Sequence, residues 1–240
     1  MSGAGGGIGT ATARALAAEG ALVVCADLDL GAAERSALAV EADGGSAIAT
    51  ACDVTDPGAA RAAVATAREG FGRLDLLVNV AGVGSLRPTV DVTLEEWNGT
   101  LAVNLTGTFL MCQAAIPALV ASGGAIVNVA SVAGVRAVPY SAAYCASKGG
   151  VVLLTKSLAV ELGGSGVRVN CVCPSSVDTR FLDGFAFTDA IDESLFARGA
   201  SVLSGRMAPA VVASAIVYLA SDDAAMITGT ALMLDGGATA

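Results

Sequence analysis

The sequence predicts an α/β fold: a doubly wound parallel sheet with helices on both faces. Three observations carry this. Short runs rich in Val, Ile, Ala and Cys alternate with longer segments of helical period, the pattern of repeated strand–helix–strand units. The strand-like runs are apolar throughout rather than alternating, as strands buried on both faces are. The chain is 54% hydrophobic but only 4% aromatic and holds 30 glycines, so small side chains let helices lie close to a sheet. Crossovers are expected to be right-handed. The 240 residues show no linker, and residues 1–240 are read as a single domain.

The elements follow in order. Met1-Ser-Gly-Ala-Gly-Gly-Gly-Ile-Gly9 opens the chain and a helical pattern runs from it to Glu19. Gly3, Gly7 and Gly9 have the spacing G-x-x-x-G-x-G, and bare glycines let a backbone approach a pyrophosphate at a helix N-terminus. Ala21 to Ala26 is a buried strand ending at Asp27, about 20 residues past the glycines. That is where a carboxylate receives ribose hydroxyls in dinucleotide folds. No Arg or Lys lies between Arg14 and Arg35 to receive a 2′-phosphate, so NAD is preferred over NADP. A helix over Leu30–Ala42 and a strand over Ser46–Cys52 lead to Asp53-Val54. Asp56-Pro57 starts the next helix, with Pro just inside it, running to about Gly70. Leu74 to Val78 is a strand ending in Asn79-Val80-Ala81-Gly82. A long helix begins near Leu94 and contains Asn104, and Ala125 to Ala130 is another strand. A helix over Tyr144–Leu162, a strand over Val167–Cys173, a helix over Ala210–Ala220 and a last strand between Thr228 and Asp235 complete the order.

Composition excludes whole classes of function. The formal net charge is -9, so neither nucleic acid nor an anionic membrane is an expected partner. There is no histidine, which removes Ser-His-Asp triads and His-ligated zinc; no metal is expected. The six cysteines form no C-x-x-C pair and read as reduced core thiols of a cytoplasmic protein. Trp97 to Val135 carries no charge, but Asn104, Gln113, Pro117, Gly123-Gly124 and Asn128 interrupt it. It reads as a helix, a turn and a strand, all buried.

The chemistry concentrates in Ser131 to Lys148. Tyr144 and Lys148 are four residues apart at the start of a helix, and so share a face. They look toward the tip of a strand that presents the Ser131 hydroxyl. Oxidising an alcohol needs a base for the O–H proton while hydride leaves carbon. A free tyrosine, with a pKa of about 10, is too weak a base near neutrality. A neighbouring ammonium favours the phenolate, and the serine can hold the reacting oxygen. The chain has only two lysines, Lys148 and Lys156, so the pairing is not drawn from a lysine-rich surface.

Ser131 followed by Tyr144-Cys-Ala-Ser-Lys148 resembles the active site of the short-chain dehydrogenase/reductase family, whose fold is Rossmann-like, and the resemblance covers essentially the whole chain. It implies Tyr144 as acid/base, Lys148 as the group that lowers its pKa and holds the nicotinamide ribose, and Ser131 as holder of the substrate oxygen. Asn104 would brace a kinked helix and a water beside the lysine. On the cofactor side it implies the loop Gly3, Gly7, Ile8 and Gly9, then Asp27, Asp53 and Val54 at the adenine, and Asn79, Ala81 and Gly82 at a strand end. Pro174, Val177 and Thr179 would lie at the nicotinamide. Two positions depart from the pattern: Val80 stands for a second Asn, and Ser175 for a Gly that could need a special backbone angle.

A further departure is at the start, where the family has an apolar strand before the glycine loop and Met1 stands at its last position. That strand is central in the sheet, so its N-terminal strand missing, the sheet should gap or its neighbours pair directly. We expect the strand, of about 5 to 6 residues, to be encoded in frame upstream of a start placed too late. The expected activity is hydride transfer between NAD(H) and a secondary alcohol or ketone. Four of six phenylalanines (Phe181, Phe185, Phe187 and Phe196) fall in the irregular stretch 180–206, read as an apolar lid, which makes an alicyclic or steroid-like substrate the first choice. A 3-oxoacyl thioester reductase and a truncated, non-catalytic dinucleotide-binding protein are the alternatives. Apolar faces on Leu94–Val120 and Ala143–Leu162 imply self-association, as a homotetramer or homodimer.

Overall fold

The elements form where their residues direct them. In chain order they are α1 (Gly7–Ala18), β1 (Leu22–Asp27), α2 (Leu30–Ala42), β2 (Ser46–Ala51), α3 (Pro57–Phe71), β3 (Leu76–Asn79), α4 (Leu94–Leu101), α5 (Gly107–Ser122), β4 (Ala125–Val129), α6 (Ala142–Leu162), β5 (Arg168–Pro174), α7 (Pro209–Ala220) and β6 (Ala231–Leu234). The structure, a computed structural model, describes residues 1–185, 188–199, 201–203 and 205–240. Local chemistry fixes the ends. Asp56 accepts from the N–H groups of Gly58 and Ala59 ahead of α3, with Pro57 in its first turn. Thr93 and Glu96 form a capping box on α4. α3 and α5 stop at left-handed Gly72 and Gly123.

All strand pairs are parallel. β1 pairs with β2, and β3, β4, β5 and β6 are neighbours in that order. Successive side chains point to opposite faces. Val78, Val127 and Val172 therefore meet α1, α2 and α7, while Leu77, Ile126 and Val169 meet α3, α5 and α6. Alanines line the helix faces, Ala13, Ala33 and Ala37 on one side and Ala60, Ala63 and Ala115 on the other. That is how so few aromatics suffice to fill the interior. Ile126 is fully buried, and truncating such a residue to Ala costs about 2–5 kcal/mol.

At the sheet centre β1 and β3 do not pair directly: the strands fall into a group of two and a group of four, and the gap between them is bridged only at its edge. Met1 and Ser2 themselves stand between β1 and β3. The Ser2 N–H donates to the Val78 carbonyl at 3.0 Å and the Ala26 N–H to the Met1 carbonyl at 2.9 Å. Ser2 bridges both Ala26 and Asn79 in parallel sense. The terminal ammonium is buried, donates to the Val24 carbonyl at 2.7 Å, and has its pKa lowered by desolvation.

The long helix expected from Leu94 is not uniform. Residues Ala102–Thr106 form one wider π turn between α4 and α5, the kind of bulge that often marks a functional position. By length and apolarity the 29-residue run Leu94–Ser122 could cross a bilayer, yet it packs against α3, β3 and α6. Residues expected to be irregular hold two 3₁₀ stretches, Arg180–Phe185 and Glu193–Gly199. Phe187 lies outside the described residues.

Candidate active site

A parallel sheet brings the carboxyl ends of its strands to one edge, where ligands bind in this architecture. Asp27 closes β1, Asn79 closes β3 and Pro174 closes β5, while Ser131 lies two residues beyond β4. Ser131 has extended backbone and its Oγ accepts from the Ala133 N–H at 3.1 Å, which turns the chain away from the strand. The Tyr144 hydroxyl lies beside the Ser131 side chain, near enough for the serine to oppose the upward effect of burial on the phenol. Lys148, one turn further along α6, is 3% exposed. Its Nζ donates to the Val129 carbonyl at 2.8 Å and stands 5.9 Å from the centre of the Tyr144 ring.

The electrostatics correct one sequence expectation. The sequence has the lysine pull the phenol down, but burial pushes Tyr144 up to about 12, against the opposing effect of the nearby Ser131 hydroxyl. Burial is the larger cause and the neighbouring Cys145 adds a smaller upward push. Phe181 and Phe185 cover the tyrosine, with ring centres 5.9 and 5.4 Å away, while the Lys148 ammonium donates to the Val129 carbonyl. Burial lowers Lys148 itself to about 8.

Asn104 is completely buried in the π turn. Its Oδ1 accepts from the Val83 N–H at 2.8 Å, and its Nδ2 donates to the Val83 carbonyl at 2.8 Å and to Ser147 Oγ at 3.0 Å. The widened turn aims this amide sideways, where it pairs with the loop after β3 as a neighbouring strand would. A Cβ on Gly82 would lie 3.3 Å from Asn104 Oδ1 and 3.4 Å from Lys148 Nζ, so the bare glycine is flanked by both. Ser131, Tyr144, Lys148 and Asn104 thus form one cluster.

The cofactor-side residues gather beside it. Gly3 has φ +65° and a Cβ there would sit 2.5 Å from the Ala81 nitrogen, so only glycine fits the conformation and the space. Gly7 lies against the Thr179 methyl, which joins the glycine loop to the segment after β5. Gly9 is buried against the Gly3 carbonyl, and Ile8 packs on the core beneath. Gly6 caps α1 without a side chain, leaving first-turn N–H groups to an anion. Asp27 accepts from the Gly5 N–H at 2.9 Å and from the Asp29 N–H at 3.1 Å. Exposed Asp53 accepts from Thr55, which holds its carboxyl below the usual range. Val54 is buried against Gly107. Pro174 accepts from Ser131 Oγ at 3.5 Å, and Val177 is buried and bridged to Met207. Neither departure disturbs the backbone: Val80 packs on the core and Ser175 has no positive φ.

Asn79 lies at the expected strand end, but its side chain turns into the core. Its Nδ2 donates to Asn128 Oδ1 at 2.9 Å, and Asn128 in turn donates to Thr155 Oγ1 on α6 at 2.9 Å. This buried polar chain ties β3 and β4 to the helix that carries Tyr144. Sequence reasoning missed it, although an Asn inside the apolar run Ala125–Ala130 was the signal, since a buried amide must find partners. Ser147, the partner of Asn104, was missed as well.

A family profile described as Enoyl-(Acyl carrier protein) reductase matches residues 3–239. D-threitol dehydrogenase of Mycolicibacterium smegmatis is 46% identical over 100% of this chain and 91% of its own length. The chain belongs to the short-chain dehydrogenase/reductase family. Trans-4-hydroxycyclohexanecarboxylate dehydrogenase of Sinomonas cyclohexanicum is 41% identical over 100% of this chain and 92% of its own. The crystal structure of 3-ketoacyl-(acyl-carrier-protein) reductase from Brucella melitensis complexed with NADH superposes with a TM-score of 0.89 at 35% identity, covering 100% of this chain and 96% of that one. This short-chain dehydrogenase/reductase is an oxidoreductase acting on CH–OH groups of a small molecule. Its glycine loop, uncapped helix N-terminus and carboxylate at the end of β1 fit a nicotinamide dinucleotide cofactor.

Proposed function

We propose that this family member is an NAD-dependent dehydrogenase of secondary alcohols, built on one domain with residues 180–206 as the substrate cover. The placing of Ser131 beside Tyr144, with Lys148 and Asn104 against the same Gly82, is the observation that carries the reading. Tyr144 exchanges the proton with the substrate oxygen, and Ser131 Oγ holds that oxygen. Lys148 supplies positive charge behind the phenol and a donor for the nicotinamide ribose, and Asn104 fixes the loop on which Gly82 sits. The dinucleotide supplies the hydride acceptor when bound. Gly3, Gly7, Ile8 and Gly9 would hold its pyrophosphate, Asp27 the adenosine ribose, and Asp53 and Val54 the adenine. Ala81 and Gly82 would back its middle, with Pro174, Val177 and Thr179 at the nicotinamide. Asn79 would act only by fixing the strand end.

Phe181 and Phe185 over Tyr144 give the substrate an apolar roof, which supports an alicyclic alcohol. A 3-oxoacyl thioester is the second reading, supported by the likeness to the Brucella reductase. The assay follows NADH absorbance with trans-4-hydroxycyclohexanecarboxylate, D-threitol and a 3-oxoacyl thioester. Turnover of the thioester alone would overturn the secondary-alcohol reading in favour of the second.

Asp27 supports the choice of NAD, because a carboxylate accepts ribose hydroxyls and repels a 2′-phosphate. Asp27→Ala is expected to weaken NAD about tenfold or more, the value of a charge-assisted hydrogen bond, and to narrow the preference over NADP. A wild-type preference for NADP would refute this assignment.

We further place the enzyme in the cytoplasm as a homotetramer, without nucleic-acid or membrane partners. Phe109 and Val120 on α5 and Leu153 and Val160 on α6 are exposed apolar residues, which supports pairing of these helices between copies. Light scattering should give four times the chain mass, and a monomer would contradict the assembly.

A further inference from the structure

Tyr140 is the one non-glycine residue with positive φ among the described residues, at +59°. A side chain rarely adopts that conformation unless its surroundings over-determine it, and such positions cluster at ligand clamps and active sites. Its surroundings come from two other parts of the chain. The Tyr140 carbonyl accepts from the Arg87 N–H at 2.8 Å, in the loop after β3. Its neighbour Ser141 donates to the Ser85 carbonyl of that loop at 3.3 Å. From the other side, the Asp192 N–H donates to the Tyr140 hydroxyl at 3.2 Å. The Phe196 ring stacks on the Tyr140 ring, with centres 6.3 Å apart and planes 20° from parallel. Tyr140 also lies four residues before Tyr144, just ahead of α6, and Phe185 touches Tyr144 from the same cover.

We infer that Tyr140 is a positioning residue that docks residues 188–196 and thereby sets the room left over Tyr144 for substrate. The left-handed backbone turns its ring away from the start of α6 and toward the cover. A relaxed backbone at this point would aim the ring elsewhere. The inference rests on the reading of Tyr144 as acid/base and of residues 180–206 as the substrate cover.

Two variants separate the parts. Tyr140→Phe keeps the stacked ring and loses only the acceptor for Asp192, so KM for the alcohol should rise about fivefold, as for one hydrogen bond. Tyr140→Gly suits the backbone angle and removes the docking, so KM should rise about tenfold to a hundredfold, the scale of a lost hydrogen bond together with a lost aromatic pair. In both, kcat should stay within about threefold and the Kd for NADH within about twofold, while amide hydrogen exchange at residues 188–196 quickens in the order wild type, Phe, Gly. The melting temperature of Tyr140→Gly balances relief of backbone strain against the lost stacking and a freer unfolded chain, so KM and exchange decide the inference. A lower melting temperature with unchanged KM and unchanged exchange would make Tyr140 merely structural and overturn the inference. If the wild type turns over no alcohol, the dehydrogenase reading falls separately. The exchange rates then still decide the docking, for or against.

Discussion

Tyr144→Phe is expected to lower turnover by at least about a hundredfold, within the 10²–10⁴ range of a positioned acid or base, with NADH affinity nearly intact. The reason is local. The variant keeps the ring that Phe181 and Phe185 cover and removes only the hydroxyl beside Ser131. No described contact of the glycine loop passes through that hydroxyl. Burial raises the phenol toward 12, so at neutral pH it is a proton donor. Ketone reduction should therefore proceed near neutrality. Alcohol oxidation should accelerate as pH rises and the phenolate becomes accessible. Steady-state rates across pH, with fluorescence titration of NADH, test both statements. Residual activity above a few per cent, or an unchanged pH profile in the variant, would remove Tyr144 from the acid/base role.

Lys148→Met should damage both binding and rate, which separates it from Tyr144. The methionine nearly conserves volume in a site only 3% exposed, so the loss is of charge and of the donor to Val129 at 2.8 Å. Removing one preorganised electrostatic group from an active site costs about 10²–10³ in kcat. A lost hydrogen bond to a charged group is worth about 1.5–3 kcal/mol, or roughly ten- to a hundredfold in NADH affinity. The expected signature is a fall in both, with little change in melting temperature, because a buried ammonium is itself costly. Unchanged NADH affinity with less than about a fivefold loss of kcat would leave Lys148 no part in the site.

How much of this could be read without the fold depends on the residue. The apolar runs and helical periods predicted the strands and helices within a few residues, since burial on both faces of a parallel sheet imposes a composition as well as a period. Ser131, Tyr144 and Lys148 were legible because a four-residue helical spacing converts directly into a shared face. Gly3 was legible because few residues tolerate its backbone. Asn104 was named, but the π turn that aims it and its partner Ser147 were not, because a one-residue widening of a helix leaves no periodic mark over five residues.

What the sequence determined by itself is the layered α/β architecture, the residue types of the reacting group and the absence of histidine chemistry. These depend on composition, period and near neighbours. Only the tertiary structure decided the rest. It set Met1 and Ser2 between β1 and β3, turned Asn79 into the core toward Asn128, and laid Phe181 and Phe185 over Tyr144, which reverses the direction of its pKa shift. It also held Tyr140 in a strained backbone by contacts with Arg87, Asp192 and Phe196. Each of these joins residues about 25 to 80 positions apart. Desolvation and backbone strain are set by what a distant segment brings, and local spacing carries no record of that.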